Sequence, residues 1–148
     1  MYPIPYEVEQ QILAAPTEQL LELPFMKEVA MQNSGIAYMV AKRVNHLQAM
    51  KAAATTWKAR RARINTISPG VIVTPLAYDE FAAAGEGYQQ MIDASAAQRV
   101  GTSEEIAEAA AFLLGGHAGF ITGTDLLIDG GVIAAIRTGE YQLHEHQD

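Results

Sequence analysis

Tyr38 and Lys42 stand four residues apart in Tyr38-Met39-Val40-Ala41-Lys42, a spacing that puts both side chains on one face of a helix and within reach of each other. A phenol beside an ammonium can work as an acid–base pair. A free phenol releases its proton only at about pH 10, so service near neutrality asks for a stabilised phenolate, and a nearby cation favours that charged form. Taken alone the pair carries little weight, because a packed ring and a solvated charge at this spacing look the same. A second group follows at Pro69-Gly70, Ile72 and Thr74. The glycine permits close backbone approach and the threonine offers a hydroxyl. Out of context the same residues describe a turn that ends a strand, a buried isoleucine and a helix-capping threonine. The remaining candidates are weaker. His144 and His146 flank Glu145, but two ligands on a polar tail make a poor metal site, and no metal centre is expected. His46 and His117 read as isolated structural side chains, and Met39, Met50 and Met91 as core filler.

The elements that must hold these residues can be read from pattern. Residues 1–33 carry four of the six prolines and short helical fragments, Tyr6 to Ala14 and Thr17 to Leu23, separated by Pro16 and Pro24; they read as an insertion-like surface segment. From Ser34 one long helix is predicted through about Arg60, with Asn33 or Ser34 as N-cap. Ala62 to Ser68 reads as a short buried strand halted by Pro69-Gly70. Thr74 to Gln98 suggests two short helices hinged at Gly85-Glu86-Gly87. Thr102-Ser103-Glu104-Glu105 announces the capped start of a helix to Leu114, ended by Gly115-Gly116. A second strand, Asp125 to Asp129, stops at Gly130-Gly131, and a polar tail closes the chain. Alternating helices and strands predict a parallel α/β sheet. Two strands are too few for an independently stable one, so further strands are expected from elsewhere.

Three further stretches carry a family resemblance: Arg63 to Gly70 with Val71 to Pro75; Arg99-Val100-Gly101-Thr102-Ser103-Glu104-Glu105-Ile106-Ala107; and Ile121-Thr122-Gly123-Thr124 through Asp129-Gly130-Gly131. Taken with Tyr38 and Lys42, the order resembles the carboxy-terminal half of a short-chain dehydrogenase/reductase over about Ser34 to Val132. The resemblance implies an α/β fold, the carboxy-terminal part of a Rossmann-like doubly wound parallel sheet, incomplete in this chain. It implies one partial domain over residues 1–148, in which 34–132 supply the catalytic helix, the strands and a substrate lid, and 133–148 a tail.

It implies an NAD(P)-dependent oxidoreductase interconverting a secondary alcohol and a ketone, with Tyr38 as the acid or base. Lys42 would make that phenol more acidic and bond the nicotinamide ribose. Pro69, Gly70, Ile72 and Thr74 would line the nicotinamide. The apolar residues of the lid suggest a lipophilic substrate, and the family's oligomers suggest a dimer or tetramer. Three features of the family pattern are not found: the glycine-rich phosphate loop, the Asn-Asn-Ala-Gly stretch, and a serine at the usual interval before Tyr38, where Phe25 and Met26 stand. The choice between NAD and NADP is therefore unreadable, and the chain reads as truncated.

Composition narrows the alternatives. The formal charge is −7, which argues against nucleic acid or an anionic membrane as partner. Lys58 to Arg63 is the one basic cluster, and it reads as a solvated helix end. The absence of Cys removes disulfides and thiol nucleophiles and fits a reducing cytoplasm. No apolar run is long enough to span a bilayer. A non-catalytic oligomerisation or interaction module built on the same fold is the competing reading, using the long helix and the final strand.

Overall fold

The computed structural model describes residues 4–30, 32–74 and 86–141. The chain divides into two units, Met1–Thr66 with Phe120–Asp125, and Ile67–Gly119 with Leu126–Asp148.

The first unit is helical. Helix α1 (Tyr6–Ala14) ends where Pro16 forces Ala15 into an extended conformation, φ −68° and ψ 143°. A 3₁₀ segment, Thr17–Glu22, leads to helix α2 (Pro24–Ala30), whose first residue is a proline, the position where a missing N–H costs nothing. Helix α3 (Ser34–Ala52) starts at an Asn33 cap, the Asn33 side chain accepting from the Ile36 N–H at 2.9 Å. Val40, Val44 and Leu47 recur at four- and three-residue steps and are buried together with Ile12, Leu20 and Val29. The amino-terminal segment is therefore not a surface excursion. Its apolar residues supply half of that buried cluster, because α3 presents an aliphatic stripe that needs a cover. Polar ties reinforce the packing of α1 on α3: Arg43 pairs with Glu9, and Gln48 Nε2 and Lys51 Nζ donate to the Ile12 and Ala15 carbonyls at 3.5 and 3.4 Å.

The helical run reaches Ala59, close to its predicted end, although its regular α part stops at Ala52. Past Ala52 the turn widens into a π-helical segment, Ala53–Trp57, where the Thr55 hydroxyl donates to the Lys51 carbonyl at 2.7 Å, a back-bond that disturbs a helical ladder. Lys58, Arg60 and Arg61 are exposed beyond it. The first strand is shorter than predicted. Its predicted beginning is held by a loop instead: the Ile64 carbonyl accepts from the Gly123 N–H at 2.8 Å, and Asn65 Nδ2 donates to the Ile121 carbonyl at 3.0 Å.

Strands β1 (Thr66–Pro69) and β2 (Asp125–Ile128) pair in a two-stranded sheet. Equal offsets in Thr66 N–H to Thr124 O (3.0 Å) and Gly70 N–H to Ile128 O (2.8 Å) mark the pairing as parallel. In the second unit an isolated parallel bridge joins Ile72 to Gly101. Helix α4 (Glu86–Ala94) takes Glu86 and Gly87 as its first residues, where a hinge was expected; residues 75–85 of the expected lid lie outside the described residues. Helix α5 (Ser103–Leu114) begins with the full reciprocal cap, the Thr102 hydroxyl accepting from the Glu105 N–H and the Glu105 carboxylate from the Thr102 N–H.

Helix α6 (Val132–Thr138) occupies a stretch to which pattern assigned no element. The Asp129 carboxylate starts it by accepting from the Gly131 and Ile133 N–H groups at 2.9 and 2.7 Å. Gly130 and Gly131 adopt φ of 63° and 96°, a left-handed conformation that their lack of a side chain allows. His144 and His146 lie outside the described residues.

Candidate active site

Tyr38 and Lys42 sit on the face of α3 opposite Val40, Val44 and Leu47, as a helix of 100° per residue requires. The Lys42 ammonium lies 5.3 Å from the centre of the Tyr38 ring, inside the range where a cation is attracted to an aromatic face. The Tyr38 side chain is 63% exposed, and Lys42 is exposed beside it. Packing of the aliphatic stripe against α1 and α2 thus turns Tyr38 and Lys42 outward.

The interval at which the family places its serine holds Phe25 and Met26 in α2, partly buried against the core. Neither can donate a hydrogen bond. Ser34 is the first residue of α3 and is exposed, while the capping role belongs to Asn33. Met39 and Met50, expected as core filler, are 44% and 48% exposed; they fall outside the stripe that faces α1 and α2. His46 is not isolated. Its Nε2 lies 3.5 Å from Asp125 Oδ1, with both side chains largely buried.

In the second unit, Pro69, Gly70, Ile72 and Thr74 follow one another from the exposed end of β1 into the Ile72 bridge. Gly70 is explained by the fold itself: a Cβ there would stand 2.6 Å from Asp129 Cα. Packing against Asp129 is thus by itself a sufficient reason for a glycine at this position. Ile72 is one wall of a cavity of about 190 Å³, shared with Val71, Ile92, Ile106 and Ile128, while Arg99, Glu105 and Asp129 add polar groups. Thr74 is half-buried.

Arg99 and Glu105 form a two-pronged ion pair, Nη1 to Oε2 at 2.9 Å and Nη2 to Oε1 at 2.6 Å. The hydrogen bonds from Arg99, then the one from the Thr102 N–H, hold the Glu105 carboxyl down at about 2. A carboxylate so thoroughly occupied is a structural lock. The capping half of it is legible from Thr102 and Glu105 at their three-residue spacing; Arg99 carries no such signal.

The chain matches the family model described as enoyl-(acyl carrier protein) reductase over residues 9–133. It is 41% identical over 132 residues to the short-chain dehydrogenase/reductase bsc3 of Alternaria brassicicola, covering 88% of this chain and 47% of that protein. Among solved structures, 4-hydroxyisoleucine dehydrogenase complexed with NADH superposes with a TM-score of 0.59 at 30% identity, over 66% of this chain and 40% of that one. ElxO with NADP bound gives 0.57 at 27% identity, over 67% and 40%. The chain belongs to the short-chain dehydrogenase/reductase family. Its α/β fold, with a two-stranded parallel sheet, is an incomplete part of the Rossmann-like fold of these neighbours. The chain spans less than half the length of each of these three proteins. The match begins at residue 9, so most of the proline-rich segment is within it.

Proposed function

We propose that this chain carries the acid–base centre of an NAD(P)-dependent oxidoreductase that interconverts a secondary alcohol and a ketone. The observation that carries the reading is the Lys42 ammonium set against the exposed Tyr38 ring on one face of α3. In reduction the Tyr38 hydroxyl gives its proton to the carbonyl oxygen; in oxidation the phenolate takes the proton of the alcohol. Lys42 stabilises the phenolate by its positive charge. A nicotinamide cofactor, when bound, would supply or accept the hydride.

The donor set fits that cofactor. Lys42 has three N–H donors and no acceptor, the complement of a ribose diol, and its exposure leaves them accessible. By family resemblance Pro69 and Gly70 would line the nicotinamide, the main chain near Ile72 would meet its carboxamide and Thr74 would add a polar contact. NAD and NADP are equally compatible with these residues. The aliphatic cavity behind Ile72 supports a lipophilic substrate, and residues 1–148 are read as one partial domain. Among the described residues no helix is long and apolar enough to cross a membrane, and the lack of Cys suits a reducing compartment such as the cytoplasm.

Tyr38→Phe removes the proton and keeps the ring. Turnover of secondary alcohols with NAD or NADP should fall at least ~100-fold, the usual contribution of a positioned acid or base, while cofactor binding followed by nicotinamide fluorescence stays near the parent value. Retained turnover would remove the role assigned to Tyr38.

The second reading, a non-catalytic module that associates with its own kind, is favoured by one observation: α3 and β2 expose Met39, Met50 and Leu127. Exposed apolar groups of this kind suit a dimer or tetramer interface.

A further inference from the structure

Tyr38, Lys42 and His46 form a column on α3, each one turn from the next. Two of them are exposed, whereas His46 is largely buried, its Nε2 at 3.5 Å from Asp125 Oδ1 where β2 begins. The same oxygen accepts a 2.7 Å hydrogen bond from the Thr66 hydroxyl at the start of β1. We propose that His46 is a positioning residue, which through Asp125 and Thr66 sets the rotation of α3 about its own axis and so the direction in which Tyr38 and Lys42 point.

The buried stripe of α3 is aliphatic, and such contacts are not directional. The stripe fixes which face of α3 is buried, and directional polar contacts are left to set the fine angle within that face. Arg43, Gln48 and Lys51 tie α3 to α1, another helix; His46 ties it to the strand starts. Rolling a helix by about 10° moves a side-chain tip by ~1 Å at its outer radius of roughly 5–6 Å. Displacement on that scale costs up to about 100-fold in rate when the displaced group does chemistry. The functional meaning of the anchor rests on the oxidoreductase reading above, but the anchor itself can be tested without it.

The test uses the protein labelled with ¹³C at the tyrosine ring, the Tyr38 resonance being assigned by its loss in Tyr38→Phe. In His46→Ala and Asp125→Ala the Tyr38 signal should shift and its proximity to the Lys42 side chain, read by nuclear Overhauser contacts, should weaken. His46→Gln, which keeps a donor near the Nε2 position, should restore both. Where turnover is measurable, the alanine variants should lose it ten- to a hundred-fold, with a raised cofactor KM because Lys42 is displaced together with Tyr38. A folded His46→Ala protein with an unmoved Tyr38 signal and an intact Lys42 contact overturns the anchor, whatever its activity. If His46→Ala does not fold, Asp125→Asn, which keeps an acceptor for Thr66 and removes the charge, is judged by the same signals. An intact anchor in a protein whose Tyr38→Phe variant still turns over would instead overturn the acid–base reading alone.

Discussion

At the scale of single residues, one side chain or its absence can answer to two different demands, and Gly70 shows how they are separated. Its place beside Pro69 in a family motif suggests that a cofactor needs the room. Packing against Asp129 is by itself a sufficient reason, since a Cβ on residue 70 would come within 2.6 Å of Asp129 Cα and 2.8 Å of its Cβ. Asp129 in turn cannot yield without releasing the amides of Gly131 and Ile133 that begin α6. Gly70→Ala is therefore expected to destabilise the fold by about 1–3 kcal/mol, the usual range for overpacking a filled site, as measured by urea denaturation. Unchanged stability would show that the strand ends can separate freely, and the glycine would return to being an argument about ligand approach. His46 carries the complementary lesson. Its partner Asp125 is 79 positions away in the chain, so no local spacing can announce the pair, whereas Tyr38 and Lys42 are legible because one helical turn fixes both.

At the scale of elements, the local signals succeeded where the determinant was local. Pro16 and Pro24 separate three short helical segments, and Thr102 with Glu105 marks the start of α5. Pattern failed where tertiary hydrogen bonds decide. Ile64 and Asn65 have the composition of a strand, yet they are bonded to the loop at Ile121 and Gly123. Helix α6 went unseen because its cap, Asp129, precedes two glycines that ordinarily signal a stop.

The α5 cap also yields a pH prediction. Glu105 has its carboxyl pKa lowered from 4.5 to about 2 by Arg99 and the Thr102 amide. A carboxyl that is more acidic when folded stabilises the fold fully above its unfolded value, and that stabilisation is lost as pH falls through the folded value. The Tm difference between the parent and Glu105→Gln should therefore be largest above about pH 5 and shrink towards about pH 2. A difference that does not vary with pH over that span would mean that Glu105 acts only as a neutral cap.

At the scale of the whole molecule, the family match covers 125 positions, residues 9 to 133, yet the sheet has only two strands among the described residues. Parallel sheets are stable when several strands are covered on both faces, and a pair by itself is marginal. The buried clusters cannot hide everything either: Leu114 is 84% exposed and Phe120 fully so. These were not legible as surface residues, because Leu114 continues an apolar helical pattern and Phe120 precedes a strand, contexts that ordinarily mean burial.

Apolar surface and a narrow sheet both favour association. The 148-residue chain is expected to sediment as a dimer or tetramer, with a Tm that rises with protein concentration, because a partner that binds only the folded state stabilises it by mass action. A monomer whose Tm is independent of concentration would remove self-association as a property of this chain. The same preparation decides between the two functional readings when titrated with NADH and NADPH. Saturable binding accompanied by turnover would exclude a purely structural module, whereas a stable oligomer that binds neither nucleotide would favour the non-catalytic module and remove the acid–base role of Tyr38 and Lys42 from this chain.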